Sequence, residues 1–144
     1  MAVKLLKNNN LSIQQARADL QIVDQIVNAI ENNSGNSKFL RGQASYHLQQ
    51  ASEKLIKIQI YTNSSTIDYH KMYEHDIKKL MNYGSSLGIT IEIPNDIKNN
   101  AMTITAWEAS GRYDLHVVTK ITTIKKYSRI IWDWYDDLFS KGYR

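Results

Sequence analysis

The 144-residue sequence predicts an all-α fold, an up-and-down bundle of about five helices in a single domain covering residues 1–144. Apolar residues recur at intervals of three and four along several long segments, which gathers them on one face of an α-helix. Clusters of Asn, Ser and Gly interrupt those segments, and these residues tolerate the backbone conformations that end helices. A chain of this length falls in the usual range for one domain and leaves no room for a second core of comparable size.

The first helix is expected over 11–32, where Ile13, Ala16, Leu20, Val23, Val27 and Ile30 form one stripe. Ser12 followed three residues on by Gln15 has the form of a capping box, each side chain satisfying a backbone donor at the helix start. The Asn, Ser and Gly run at 32–37 ends it. A second helix follows over 38–60, with Leu40, Ala44, Leu48, Ala51, Leu55 and Ile58 at the same spacing, and the short linker makes the pair antiparallel neighbours. Residues 62–68 are mostly polar. Tyr73, Ile77 and Leu80 then suggest a shorter third helix closing near Gly84.

Ile89, Ile91 and Ile93 alternate with polar residues at a strand-like period, but a lone strand has no partner in this chain, so 87–93 reads as an extended loop. Pro94 stands near the start of a fourth helix whose face is Ile97, Ala101, Ile104 and Trp107, since the missing N–H of proline costs nothing there. The last helix is expected over 119–140, through Ile121, Ile124, Ile131, Tyr135 and Leu138, ending before Gly142. Trp132, Trp134 and Tyr135 lie too close together for one stripe. Either one face of this helix looks outward as a dimer interface, or a wide core takes all three.

Composition narrows the function. Hydrophobic residues make up 42% and charged residues 22%, which suits a water-soluble globule. The absence of cysteine excludes disulfides, thiolate zinc sites and cysteine nucleophiles. The N-terminal apolar run is too short for a signal-peptide core and no stretch approaches the length of a membrane span, so a soluble cytoplasmic protein is expected. A net charge of +4 permits contact with a polyanion, although a solvated, slightly basic surface gives the same number.

Three segments carry a family resemblance. Tyr46-His47-Leu48-Gln49-Gln50-Ala51-Ser52-Glu53-Lys54-Leu55-Ile56-Lys57 resembles the second-helix signature of HEPN domains, an aromatic and a His before Gln-Gln-Ala and then Glu-Lys. His75-Asp76-Ile77-Lys78-Lys79-Leu80 is similar to the His-centred segment of that family's third helix, and Gly111-Arg112-Tyr113-Asp114 to its Arg-Tyr-Pro turn. Asp114 stands where the family turn has Pro, which leaves the backbone there less restricted. The resemblance implies a helical bundle, usually a homodimer, that binds nucleotides or RNA or acts as a metal-independent ribonuclease. It also implies a neighbouring nucleotidyltransferase acting as antitoxin to a toxin. A non-catalytic interaction module that assists such a nucleotidyltransferase is the competing expectation.

Ribonucleases of the family carry an Arg, four to six residues and a His, a spacing that Arg41 and His47 satisfy. His can move the 2′-hydroxyl proton while Arg stabilises charge on the phosphate. On a continuous helix, however, positions six apart point roughly 120° away from each other, so a surface Arg and a helix-packing His fit the same residues. Arg112 and His116 have only three residues between them. The resemblance gives Arg112 and Tyr113 a nucleotide-binding role, with a bond from Arg112 to a helix end as the alternative. His47, Gln50, Lys54 and Lys57 lie along one edge of the second helix and suit a phosphate or an acidic partner. Lys54 and Lys57 snorkelling over packed neighbours, with Glu53 pairing Lys57, is the plainer account. The four His residues at 47, 70, 75 and 116 form no recognised metal pattern, and neither a Gly-rich phosphate loop nor a Gly-x-Ser-x-Gly elbow occurs, so no metal or cofactor is expected.

Overall fold

The structure, a computed structural model, describes residues 11–33, 37–110 and 119–144. It is all-α: α1 (Ile13–Glu31), α2 (Ser37–Asn63), α3 (Tyr69–Met72), α4 (Ile77–Ser86), α5 (Asn95–Asn99), α6 (Ala101–Ser110) and α7 (Ile121–Ser140). Five of these are long and two are single turns. The expected capping box closes the start of α1, where Gln14 N donates to Ser12 Oγ and Ser12 N donates to Gln15 Oε1. The helix ends at Asn32, followed by Asn33 at a φ of 55°, a conformation Asn accepts at low steric cost.

The 27-residue α2 is the centre of the molecule, with α1, α4, α6 and α7 all packed on it. Ala44, Leu48, Ala51, Leu55 and Ile58 of the expected stripe are buried, but so are Ile56, Ile60, Gln49, Ser52, Glu53 and Gln59 from its other sides. Burying each Leu or Ile of this set contributes about 1.5–3 kcal/mol. The polar ones need partners in return.

The third helix differs from its expected course. Asp76, not Tyr73, begins α4, because its side chain accepts from Lys79 N as an N-cap, and Tyr73 stands 75% exposed outside the helix. α4 runs past Gly84 and stops at the Schellman-type bond from Ile89 N to Gly84 O, with Gly88 at a φ of 77°. The fourth helix is two helices. Asn100 breaks it by donating from Nδ2 to Asp96 O, a side-chain bond that competes with the helical ladder. α7 ends with the same device as α4: Gly142 at a φ of 100° and Tyr143 N bonded to Leu138 O.

The extended segment at 88–94 does have a partner, and it is a side chain. The buried amide of Gln59 accepts from Glu92 N at 2.7 Å and donates to Glu92 O at 2.9 Å, the two bonds a neighbouring strand would supply. Trp134 Nε1 adds a second donor to Glu92 O at 2.8 Å. This also settles the aromatics of α7: Trp134 turns to this segment, Tyr135 turns to α1 and accepts from Gln14, and both are buried, with Trp132 half-buried edge-on to Tyr135. The core takes them from two sides, so neither Trp134 nor Tyr135 forms an outward face. Among the described residues, no helix is long and apolar enough to cross a membrane.

Replacing Gln59 by Leu keeps the volume and removes both bonds to Glu92, leaving the half-buried Glu92 N–H without this acceptor. The expected loss is about 2 kcal/mol in urea-induced unfolding. An unchanged midpoint would mean that the amide pairing does not hold the segment.

Candidate polar site along α2

The polar edge of α2 is built on two buried carboxylates. Asp19 sits in the apolar stripe of α1, between Ala16, Leu20 and Val23, so the helix turns it inward, and its side chain is only 8% exposed. It is not left alone: His47 Nδ1 lies 2.7 Å from Oδ1, and Lys54 Nζ donates to Oδ2 at 2.6 Å. His47 and Lys54 are seven residues apart, two turns of α2, and therefore reach the same carboxylate from one face. With Nδ1 held by Asp19, the other ring nitrogen of His47, Nε2, points away from the carboxylate. The His47 side chain is 20% exposed.

Glu53 organises the second group. His75 Nδ1 lies 2.6 Å from its Oε1, and Lys57 Nζ lies 3.6 Å from Oε2 one turn along the helix. Burial pushes the Lys57 ammonium below its ordinary range, an effect the adjacent Glu53 carboxylate opposes. Gln49 ties the region together by donating to His75 O at 3.0 Å and accepting from Gln50 Nε2 at 2.8 Å. Gln49 and Glu53 together thus anchor the turn before α4 to α2.

The residues named from the sequence are therefore divided. His47, Gln50, Lys54 and Lys57 do share one side of α2, but Lys54 and Lys57 face carboxylates of the protein itself. Arg41 is elsewhere: its Nε donates to Ser37 O at 3.2 Å, one turn back, and no bond joins it to His47 among the described residues. Arg112, Tyr113, Asp114 and His116 lie outside the described residues. His70 is exposed at the start of α3, and no group of His, Asp and Glu able to hold a metal ion occurs among the described residues. Sequence reasoning missed Asp19, although its signal was present as a charged residue inside an apolar stripe.

The arrangement can move protons. A histidine oriented by a buried carboxylate has one nitrogen fixed and the other free to accept or donate, and the Lys54 ammonium supplies a cation within the same cluster. Comparison with family models, with curated proteins and with solved structures finds no match to this chain.

Because the folded pKa of Lys57 is depressed below 10.5, the folded state holds its proton less tightly than the unfolded state. Its presence in the folded state is therefore most unfavourable below the folded pKa, and this penalty fades as pH climbs toward 10.5. The stability of the parent minus that of Lys57→Met should rise over that range in urea titrations at successive pH values. A difference that stays level or falls would contradict the desolvation argument.

Proposed function

We propose that the chain is a nucleotide- or RNA-binding protein of HEPN type, with ribonuclease chemistry centred on His47. The observation that carries the reading is the His47–Asp19 pair, in which a buried carboxylate fixes the imidazole by Nδ1 and leaves Nε2 for substrate. In the reaction, His47 accepts the proton of an RNA 2′-hydroxyl, whose oxygen attacks the adjacent phosphorus to close a 2′,3′-cyclic phosphate; the expelled 5′ oxygen of the next nucleotide takes a proton from water, and His47 returns its own to solvent. Lys54, joined to the same carboxylate, takes the place the spacing had given Arg41 as the cation beside the histidine. The resemblance of residues 46–57, 75–80 and 111–114 supports the substrate class and the setting of a toxin paired with a nucleotidyltransferase antitoxin.

Purified protein incubated with mixed RNA should cleave it without added metal. His47→Ala should lower the rate by about a hundredfold or more, and Asp19→Asn should lower it while leaving RNA binding in place. Equal cleavage by the parent and His47→Ala would overturn the assignment.

A second reading is favoured by one observation: Asp19 and Glu53 already neutralise Lys54 and Lys57, leaving this edge with little net charge. An edge of that kind suits a non-catalytic module docking on a nucleotidyltransferase. RNA that is neither bound nor cleaved, together with capture of a purified nucleotidyltransferase encoded beside the gene, would select it.

The family resemblance also implies a homodimer. Sedimentation at micromolar concentration should give a species near twice the 16.6 kDa chain mass, and a boundary at the chain mass alone would remove the dimer.

A further inference from the structure

If the α2 edge spends its positive charge on the protein's own carboxylates, a polyanion must be gripped elsewhere. Outside that edge the described surface carries a second group of lysines: Lys71, Lys78, Lys79 and Lys98 are all exposed. None of the four joins an ion pair among the described residues. Lys71 lies over the ring of Tyr83 at 5.3 Å, a contact that holds the ammonium in place without cancelling its charge.

These lysines border three clefts that share walls along α4. The first, of about 350 Å³, is lined by Lys71, Lys79, Asn82 and Tyr83 together with Glu74. The second, of about 400 Å³, begins at the other side of Asn82 and is lined by Lys78, Met81, Lys98, Asn99 and Met102. The third, of about 380 Å³, shares Met81 and Lys98 with the second and continues to Ser85 and Thr90. Each is large enough for a small organic group. Among the described residues lining them Glu74 is the sole carboxylate, and it is half-buried and accepts from Asp76 N. Asp96, the acid nearest Lys98 in sequence, lines a different groove with Glu92, Asp133 and Asp137.

We infer that this row of clefts is a track for a short stretch of single-stranded nucleic acid. The lysines at the rims meet successive phosphates, and the clefts between them admit bases. The linings fit that division of work. The Asn82 and Asn99 amides can donate and accept, as the edge of any base requires. Met102, which is 82% exposed, and Met81 offer adaptable apolar surface that does not select one base. A rigid duplex would span the rims without entering the clefts, whereas a single strand can bend its bases into them. α4 has ten residues and is about 15 Å long, so the track serves only a few nucleotides. The inference rests on the polyanion reading proposed above and adds where the strand lies.

The test is fluorescence anisotropy with a short labelled single-stranded RNA, repeated at several potassium chloride concentrations. Four phosphate contacts predict a log–log salt slope of about −3 for the parent, at about −0.7 per contact. Lys78→Ala with Lys98→Ala should weaken binding roughly tenfold and make the slope shallower by about 1.4. Asn82→Asp, which places a carboxylate on the wall two clefts share, should also weaken it. All three side chains are exposed, so melting temperatures should stay near the parent's, and a duplex of the same length should bind less tightly. Lys125→Ala, on α7 and paired with Glu31, should leave the slope unchanged, and the paired variant Lys54→Ala with Lys57→Ala probes the His47 edge directly. If that α2 pair abolished binding while the α4 variants bound like the parent, the track would be wrong and the polyanion reading would stand. If the parent bound no RNA at the lowest salt, both would fall. Equal or tighter binding of the duplex would overturn the single-strand track.

Discussion

Enclosure of α2 is the constraint on which the rest of the structure depends. A helix packed by α1, α4, α6 and α7 has little access to water for its polar groups, and an unsatisfied buried polar group costs about 1–3 kcal/mol. Gln49, Ser52, Glu53 and Gln59 are all buried on it, and each finds a partner. Only Ser52 finds it within the helix alone, on Leu48 O. The others reach out: Gln49 and Glu53 to His75, and Gln59 to Glu92. Two irregular segments are thereby fixed by side chains of one helix, where backbone ladders would otherwise do the work. The position of α4 follows, because the turn held by Gln49 and Glu53 leads directly into its N-cap at Asp76.

The same enclosure sorts the charges. A buried carboxylate keeps its charge only with cations or donors close at hand, and Asp19 and Glu53 each draw a lysine and a histidine. Lysines committed in this way are poor at attracting a distant anion, because their field is cancelled within a few ångströms. Lys71, Lys78, Lys79 and Lys98 have no such carboxylate partner among the described residues, so they contribute more to the potential outside the molecule than Lys54 and Lys57 do, although all are lysines. Formal net charge is blind to this difference. A count of +4 says nothing of which ammonium groups are already engaged.

How much of this was legible in the sequence follows from how many sides of each helix are covered. The apolar periodicity of α1 and α7 marked their extent and most of their core residues, although Val27, Ile30 and Ile121 are only half-buried and Tyr127 and Trp134 are buried beside the expected stripe. α2 buries several faces, and the stripe through Leu48 and Leu55 was only the part of its core that happens to be apolar. Glu53 and Gln59 fall off that stripe: the pairing of Glu53 with Lys57 one turn on was legible and is present, but its bond to His75 and the role of Gln59 were not visible. Asp19 was visible in principle, since it interrupts the stripe of α1, but its partners are 28 and 35 residues away and no local rule supplies them. The break at Asn100 is a local competition between a side-chain amide and the helical ladder, too finely balanced for periodicity to detect. The segment through Glu92 is the extended loop that the lack of a partner strand implied, and what the alternation could not show is that the Gln59 side chain holds it.

Helical geometry also decides which cation accompanies His47. α2 runs without interruption from Ser37 to Asn63, so every residue on it advances by about 100°. Arg41 and His47, six apart, diverge by roughly 120°, and nothing in the helix brings them round to one another. His47 and Lys54, seven apart, return to within roughly 20° of the same direction. Asp19 then joins them, one oxygen to each. A spacing of six would pair the two residues only across a kink or an irregular turn, and α2 has neither between Arg41 and His47. Among the described residues the cation joined to His47 through Asp19 is therefore Lys54, and the buried carboxylate is the group that positions both.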